Sequence, residues 1–266
     1  MLYIRLFSQS ILACSLFILF STSYAEIRLE LPRDTNGIEV LTVLGIGHDK
    51  TAYKGVETTT EFTLGPAILT DNFYLDIHSV SYRFRPKEDV LVKVFGEQDE
   101  LPSEGDIPAG FNIKSGESFD VGFLAEKKSG NFSAGFQLAS DVTGTHNGYE
   151  LDLFGSYNIK KNNISQLGVS SGVRYRDKKK SNYLFGVDES EANSSLNAYT
   201  ADDEWTPFIS AIYSRQFTKN LGFVAAGSIF TLGKTAQNSP RIKANTNMEE
   251  MEILMGLIWQ FSVYKD

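Results

Sequence analysis

The chain has 266 residues, with 25 Lys+Arg against 33 Asp+Glu and a formal net charge of −8. This charge argues against a nucleic-acid partner, because an acidic protein repels phosphate and no basic stripe compensates. A mean hydropathy of −0.18, with a single long apolar run at the N-terminus, argues against a bundle of membrane-spanning helices.

Residues 1–25 have the pattern of a cleaved secretory signal peptide. Arg5 precedes an apolar stretch from Ile11 to Phe20, and Ser23–Ala25 supplies the small residues that a signal peptidase reads. A transmembrane anchor is the alternative, but the stretch is shorter than the ~18 residues that span a bilayer. We therefore predict export, and an exported domain over 26–266 that uses no disulfide, since the single cysteine lies in the signal.

Alternation of apolar and polar residues dominates the rest of the chain. It is clearest in 249–261 and 149–160, where every second side chain is apolar and the others are mixed or charged. Successive side chains of a strand point to opposite faces, so this period predicts strands with one apolar face. The same pattern predicts strands at 26–32, 38–46, 59–69, 72–84, 89–97, 119–126, 131–139, 164–177, 205–217 and 221–233. Several reach the ~9–11 residues with which a tilted strand crosses a bilayer.

The connections between these strands favour a membrane barrel. From residue 85 onward, short polar turns alternate with longer links, as in outer-membrane barrels with short periplasmic turns and long external loops. A soluble β-sandwich or lipocalin-like barrel is the alternative, because alternation alone does not say which face is buried. Aromatic residues near strand ends and charges on the opposite face favour the membrane. We predict an all-β fold, a transmembrane antiparallel up-and-down β-barrel of about 12 strands, with 10 as the alternative. A phase slip within 72–84 indicates a break or a bulge there.

The last predicted strand carries a pattern related to membrane insertion. Gly256, Trp259 and Phe261 follow the spacing glycine, two residues, aromatic, one residue, aromatic. This spacing resembles the C-terminal signal read by the outer-membrane assembly machinery, which we therefore predict as a partner. Two features depart from the signal: Leu254 stands where a polar residue is usual, and the chain continues beyond Phe261.

The most distinctive motif lies in a long link between two predicted strands. Its residues are Tyr183, Phe185, Gly186, Val187, Glu191 and Ala192, followed by Leu196 and Tyr199. This segment resembles the Y-Y-F-G-V-S-x-x-E-A and L-x-A-Y motifs of the MipA/OmpV family, outer-membrane proteins that include the MltA-interacting protein. His146–Tyr149, Tyr53–Gly55 and Leu232–Pro240 resemble further family motifs, whereas Leu184 and Asp188 depart from the usual tyrosine and serine.

The resemblance implies a location and a function. It implies the outer membrane of a Gram-negative bacterium, in contact with outer-membrane lipid and lipopolysaccharide. For at least one family member it implies a bridge between a murein hydrolase, a lytic transglycosylase, and a murein synthase, a bifunctional penicillin-binding protein. We therefore predict a non-enzymatic scaffold linked to these enzymes. The alternatives are a pore for small solutes, unless inward charges pair and plug a narrow barrel, and a surface adhesin or stress-response protein.

The motif in the long link is predicted to be structural. Asp188 and Glu191 have the spacing of a capping box, which predicts a short helix over 188–196 above the barrel mouth. Tyr183 and Phe185 are predicted to pack beneath that helix. The alternative is an adhesive lid or one that grips a ligand.

A basic cluster follows the predicted strand at 164–177. Its members are Arg174, Arg176, Lys178, Lys179 and Lys180. One interpretation is a solvated strand end. The other is contact with lipopolysaccharide phosphates just above the bilayer, which lysine and arginine would neutralise.

Motifs for catalysis or metal binding have little support in the sequence. Gly168–Gly172 matches the nucleophile-elbow pattern G-x-S-x-G, but that motif requires a strand–turn–helix context and here lies inside a predicted strand. The three histidines, His48, His78 and His146, lack the spacing of metal ligands. We predict no catalytic site, metal or cofactor, with an outer-membrane hydrolase as the residual alternative.

Overall fold

The computed structural model describes residues 38–54, 58–100, 117–162, 164–242 and 249–263. Its strands are β1 (Ile38–Lys50), β2 (Thr59–Leu69), β3 (Phe73–Leu75), β4 (Ser79–Lys87), β5 (Val90–Glu100), β6 (Glu117–Ser129), β7 (Phe132–Asp141), β8 (Tyr149–Lys161), β9 (Ser165–Arg176), β10 (Glu204–Gln216), β11 (Leu221–Thr231) and β12 (Glu249–Val263). Within the described ranges, these twelve antiparallel strands form a closed barrel in which β1 pairs with β12. The predicted twelve-strand barrel is confirmed, and the ten-strand alternative is wrong. The predicted signal peptide at 1–25 and the predicted strand at 26–32 lie outside the described residues.

Strand alternation gives the barrel wall an apolar outside and an inside with both apolar and charged side chains. In β12, Ile258 is 1% exposed and faces the lumen, whereas the neighbouring Trp259 is 52% exposed and faces outward. In β8, Asp152 is buried in the lumen and Leu153 is exposed on the outside. A strand whose exposed face is apolar and whose buried face is charged suits lipid on one side and a polar lumen on the other.

The segment predicted as one strand over 72–84 is two strands, β3 and β4. The Asp76 carboxylate accepts hydrogen bonds from the backbone N–H groups of His78 at 2.8 Å and Ser79 at 2.6 Å, and from the Tyr74 hydroxyl at 2.7 Å. An aspartate that binds backbone N–H groups two and three residues ahead reverses the chain. This turn explains the phase slip in the sequence.

The two rims of the barrel differ in the length of their connections. The turns after β4, β6, β8 and β10 are short, and the links after β5, β9 and β11 are long. Ile38 lies opposite Val263, so β1 starts and β12 ends at the rim of the short turns. Short turns mark the periplasmic side of outer-membrane barrels.

Two helices lie in the long links among the described residues. They are α1 (Lys178–Phe185) and α2 (Lys234–Gln237). The Asp177 carboxylate caps α1 by accepting a 3.0 Å hydrogen bond from the Lys180 N–H. In the part of the chain that the structure describes, no helix is both long and apolar enough to cross a membrane.

Candidate functional site

A ladder of ion pairs lies in the half of the lumen nearest the long links. Asp152 of β8 lies opposite Arg174 of β9, which donates a hydrogen bond of 3.0 Å to each of its carboxylate oxygens. Glu150 lies opposite Arg176, whose Nε donates to Glu150 at 3.0 Å. Arg174 Nε also lies 2.9 Å from Glu150, which joins the two rungs. All four side chains are buried, so their charges are balanced by each other rather than by water.

Lys180 connects helix α1 to this ladder. Its Nζ lies 3.1 Å from Asp120 Oδ2 and 3.8 Å from Glu150 Oε2. His146 Nε2 approaches the other oxygen of Asp120 at 3.4 Å. Lys180 is 5% exposed and Asp120 is 1% exposed. Because a buried charge is costly without its partner, α1 is held against the lumen by these contacts.

This geometry divides the basic cluster, and contact with lipopolysaccharide stays a prediction for its two exposed members. Three of its five members are buried inside the barrel: Arg174, Arg176 and Lys180. The two arginines follow the inward period of β9, and α1 turns its third residue down into the lumen. Lys178 and Lys179 are exposed, and Lys178 donates a 2.7 Å hydrogen bond to Asp202. That hydrogen bond and the charge of Asp202 raise the pKa of Lys178.

The links at the long-loop rim form a lid, which we define as residues 177–203 and 232–242. The lid has an apolar core made of Phe185, Ala201, Leu232, Ala236 and Ile242, together with Ala52 and Tyr53 from the link after β1. The Tyr53 ring stacks on Phe185 with centroids 6.2 Å apart, and its hydroxyl donates to the Leu184 carbonyl at 3.1 Å. Three separate links are therefore joined by one packed core above the ion-pair ladder.

Arg241 fastens the two parts of the lid. It is 1% exposed, and its Nη2 donates to Glu191 at 3.0 Å while its Nε donates to the Gly186 carbonyl. Next to it, Ser239 Oγ donates to the Phe185 carbonyl at 2.6 Å. Sequence reasoning missed Arg241, because a single arginine in a polar link carries no period or spacing that would mark it as buried.

The distinctive motif of the long link lies mostly inside the lid. Four of its residues are buried: Phe185, Gly186, Val187 and Leu196. Val187 and Tyr199 form an antiparallel bridge, and the Tyr199 hydroxyl donates to the Thr235 carbonyl at 2.8 Å. Burial, and the nearby Glu204 and Asp202 carboxylates, raise the pKa of Tyr199, so this donor stays protonated. Tyr183 places its ring 5.9 Å from His146.

The predicted helix over 188–196 is wrong. Glu191 does accept a 2.8 Å hydrogen bond from the Asp188 N–H, which is one half of a capping box. The Ala192 N–H donates to the Asp188 carbonyl, but the chain then pairs Asn193 with Leu196 instead of continuing helically. The helix of this link is α1, which precedes the motif.

A cluster of metal-ligand residue types beneath the lid is accounted for by hydrogen bonds. Asp120, Asp141 and His146 bring ligand atoms within 4.8 Å of one another. Asp141 already accepts from the backbone N–H groups of Thr143, Gly144, His146 and Asn147. His146 Nδ1 accepts from the Gly148 N–H at 3.0 Å, so the neutral ring carries its proton on Nε2, towards Asp120. The cluster therefore anchors the link after β7.

The segment with the nucleophile-elbow pattern is regular strand. Gly172 pairs with both Phe154 of β8 and Phe208 of β10, and the ladder runs through the whole pattern. Ser170 Oγ lies 2.8 Å from Ser156 Oγ in the lumen. A nucleophile elbow needs a sharp strand-to-helix turn, so the match is accidental.

The residues of the predicted assembly signal face two ways. Trp259 and Phe261 are exposed on the outside, with parallel rings whose centroids are 6.4 Å apart. Gly256 faces inward, where a Cβ atom would lie 3.1 Å from the Leu44 carbonyl of β1. The role of these residues in assembly stays a prediction.

An apolar layer lines the lumen nearer the periplasmic rim, on the side formed by β1–β3 and β10–β12. It consists of Leu41, Ala67, Leu69, Val224 and Ile258, with Val43, Tyr74 and Ile212 packed against them. Val224 is 0% exposed and Ile258 is 1% exposed. Aliphatic side chains below and ion pairs above thus project into the lumen, and the lid packs at its mouth.

Comparison with known proteins agrees with the motifs. The sequence pattern of a family described as "MltA-interacting protein MipA" matches residues 44–261, which is most of the chain. The chain belongs to this family. YiaT of Escherichia coli (strain K12), which carries the name of an outer membrane protein, is 29% identical over 126 residues, 46% of this chain and 49% of YiaT. YiaT of Escherichia coli O157:H7 gives the same values. The chain thus spans about half the length of the curated relatives it matches.

Solved outer-membrane structures are also similar to the chain. An outer membrane channel of Pseudomonas putida F1 has a TM-score of 0.43 at 8% identity, over 86% of this chain and 97% of the channel. The NanC porin has a TM-score of 0.42 at 9% identity, over 82% of this chain and 98% of the porin. The family and the strand pairing of the chain itself establish an outer-membrane β-barrel protein.

Proposed function

We propose that the protein is a non-enzymatic interaction protein, a plugged barrel that serves murein-remodelling enzymes as a scaffold. The observation that carries the proposal is the packing of side chains into the lumen. Ile258 and its neighbours project into the periplasmic half, and Arg174 with its carboxylate partners projects into the other half. In a barrel whose lumen holds packed side chains, the rims rather than the interior are available to bind other molecules.

The rival function, a pore for small solutes, requires a continuous path for water. The charges that would line such a path are instead paired: Arg174 with Asp152, and Lys180 with Asp120. Below them, buried aliphatic side chains line one side of the lumen and narrow the path for a hydrated solute. These features favour the scaffold over the pore.

The choice of partners rests on the family. Its description names interaction with MltA, and the resemblance in sequence implies a lytic transglycosylase and a bifunctional penicillin-binding protein. Murein enzymes work in the periplasm, so among the described residues they would meet the short-turn rim. Its turns are small and carry exposed basic residues, including Lys161 and Lys219. Contact through these turn tips is the expected mode of binding.

Affinity capture tests the scaffold. The folded full-length protein, immobilised in detergent, is offered the purified transglycosylase and penicillin-binding protein, separately and together. We expect each to be retained, and the pair to form a ternary complex. Retention no greater than on an unrelated outer-membrane barrel would overturn the proposal.

Charge reversal locates the contact. K128E/K161E/K219E reverses the charge of three basic residues at the short turns. We expect this variant to retain less of each enzyme, because contact with an acidic partner surface becomes repulsive. The matched control K178E/K179E/K234E reverses three exposed lysines of the opposite rim and should retain both enzymes like the wild type.

A further inference from the structure

The periplasmic rim is basic along three consecutive turns, although the protein as a whole is acidic. Six basic residues lie at the turns after β6, β8 and β10: Lys127, Lys128, Lys160, Lys161, Arg215 and Lys219. Glu126 is the acidic residue beside them. The lid at the opposite rim has six carboxylates against five basic residues: Asp177, Asp188, Glu189, Glu191, Asp202 and Asp203, and Lys178, Lys179, Lys180, Lys234 and Arg241. At the turn after β4, Arg85 and Lys87 are offset by Glu88 and Asp89. The net positive charge of the described rims therefore lies on one half of the periplasmic side.

Three of the six basic residues point outward, toward the membrane. Lys127 and the exposed Phe123 are on the same face of β6, and Arg215 and the exposed Ile209 are on the same face of β10. In β8 a bulge between Asn158 and Lys160 places Lys160 opposite the outward Leu167. Without that bulge, Lys160 would continue the inward series of the strand. The bulge thus adds a third cation to the outer surface.

Exposed aromatic rings accompany these cations. Phe132 and Tyr157 lie side by side with centroids 4.6 Å apart, and Phe132 is 64% exposed. Phe217 is 53% exposed, and the Arg215 guanidinium lies 6.0 Å from its ring centroid. Aromatic residues form the girdle at the membrane interface, where headgroups meet acyl chains. The outward cations therefore sit at the level of the lipid phosphates.

We propose that this basic shelf binds an anionic phospholipid of the periplasmic leaflet. The basic shelf comprises Lys127, Lys160 and Arg215 with the rings of Phe132, Tyr157 and Phe217. The cations pair with phosphate oxygens, and the rings contact the first carbons of the acyl chains. Strands in a sheet are about 4.8 Å apart, so β8 and β10 lie roughly 10 Å apart across β9. This spacing suits a headgroup with two phosphates, in which Lys160 holds one and Arg215 the other.

Native mass spectrometry of the full-length protein tests the site. The protein is released from bilayers that contain equal amounts of phosphatidylethanolamine, phosphatidylglycerol and cardiolipin. We expect bound lipid to be enriched in cardiolipin, followed by phosphatidylglycerol. Lipid bound in the proportions of the bilayer would overturn the proposal, and this measurement needs no variant.

Two triple variants that remove the same charge separate the shelf from the turn tips. K127Q/K160Q/R215Q removes the outward cations, and K128Q/K161Q/K219Q removes the others. At about fivefold per basic residue, the outward triple should bind anionic lipid roughly 100-fold more weakly, while the turn-tip triple binds within about threefold of the wild type. Equal losses in both triples would assign binding to diffuse charge, or to another anionic partner such as peptidoglycan, and would refute a lipid site. Heat-modifiable gel migration verifies that each variant is folded.

Discussion

Lys178 and Lys180 stand two residues apart in α1 and have different environments. Lys178 is exposed and meets Asp202 in solvent, whereas Lys180 is buried against Asp120. An exposed pair gains little, because water screens its charges. A buried pair offers little net stability over apolar packing, but removal of one partner leaves an uncompensated buried charge. Removal of Lys180 should therefore lower the free energy of unfolding much more than removal of Lys178.

Substitution of Lys180 by Met tests this cost. It leaves the buried Asp120 with the His146 contact and a 3.4 Å hydrogen bond from the Ser118 hydroxyl, neither of which replaces the lysine charge, so we expect the free energy of unfolding to fall by about 3–5 kcal/mol. K178M is the matched control and should unfold like the wild type. Urea unfolding of the protein in detergent measures both. Adding D120N to K180M should restore part of the loss, since the unpaired charge is then removed. Equal stabilities of K180M and K178M would contradict the conclusion that the buried Lys180–Asp120 pair is costly to break.

At the scale of the element, the sequence predicted the strands well because a regular period carries the information. The lipid-facing residues of β12, and those of β8 before its bulge at 158–160, alternate without interruption, so their direction could be assigned from spacing alone. The turn at Asp76 and the conformation of the link after β9 could not be predicted from spacing, because they depend on hydrogen bonds between side chains and the backbone. The same limit applies to Lys180, whose inward direction depends on the capped helix and not on any strand period.

The lid is formed by several links, and hydrogen bonds of Arg241 hold its two segments together. In R241L, Glu191 and the Gly186 carbonyl lose their buried donor, so local opening becomes easier. At about 1.4 kcal/mol per decade, the loss of ~2 kcal/mol should raise the rate of proteinase K cleavage within 187–199 by more than tenfold. K179L, an exposed change in α1, should leave cleavage unchanged. Unaltered cleavage in R241L would show that the apolar core alone holds the lid.

The end of β12 allows assembly to be separated from stability. Phe261 is exposed on the outside and stacks only on Trp259 among the described rings, so F261A removes little packing. We expect its urea unfolding to match that of F84A, an outward phenylalanine of β4. In cells, however, F261A should convert to the heat-modifiable folded form several times more slowly than F84A. Identical rates of conversion for the two variants would show that Phe261 is not part of an assembly signal.

At the scale of the whole molecule, we expect the lid and the apolar layer to act as two barriers in series. The lid packs around Phe185 at the external mouth, and the apolar layer narrows the periplasmic half through Leu41 and Ile258. Two barriers in series block a path as long as either one stands. Single changes should therefore leave the barrel closed, and a combined change should open it.

Conductance across planar lipid bilayers measures this behaviour directly. The wild type, a lid variant with 187–199 replaced by a glycine-serine linker, and L41G/I258G should each remain silent. The combination of both changes should conduct, because hydrated ions can then pass between the rungs of the ladder once the aliphatic side chains are gone. Heat-modifiable migration confirms that the combined variant is a folded barrel. Channels in the wild type would favour the pore, and channels in the lid variant alone would show that the apolar layer does not seal the lumen.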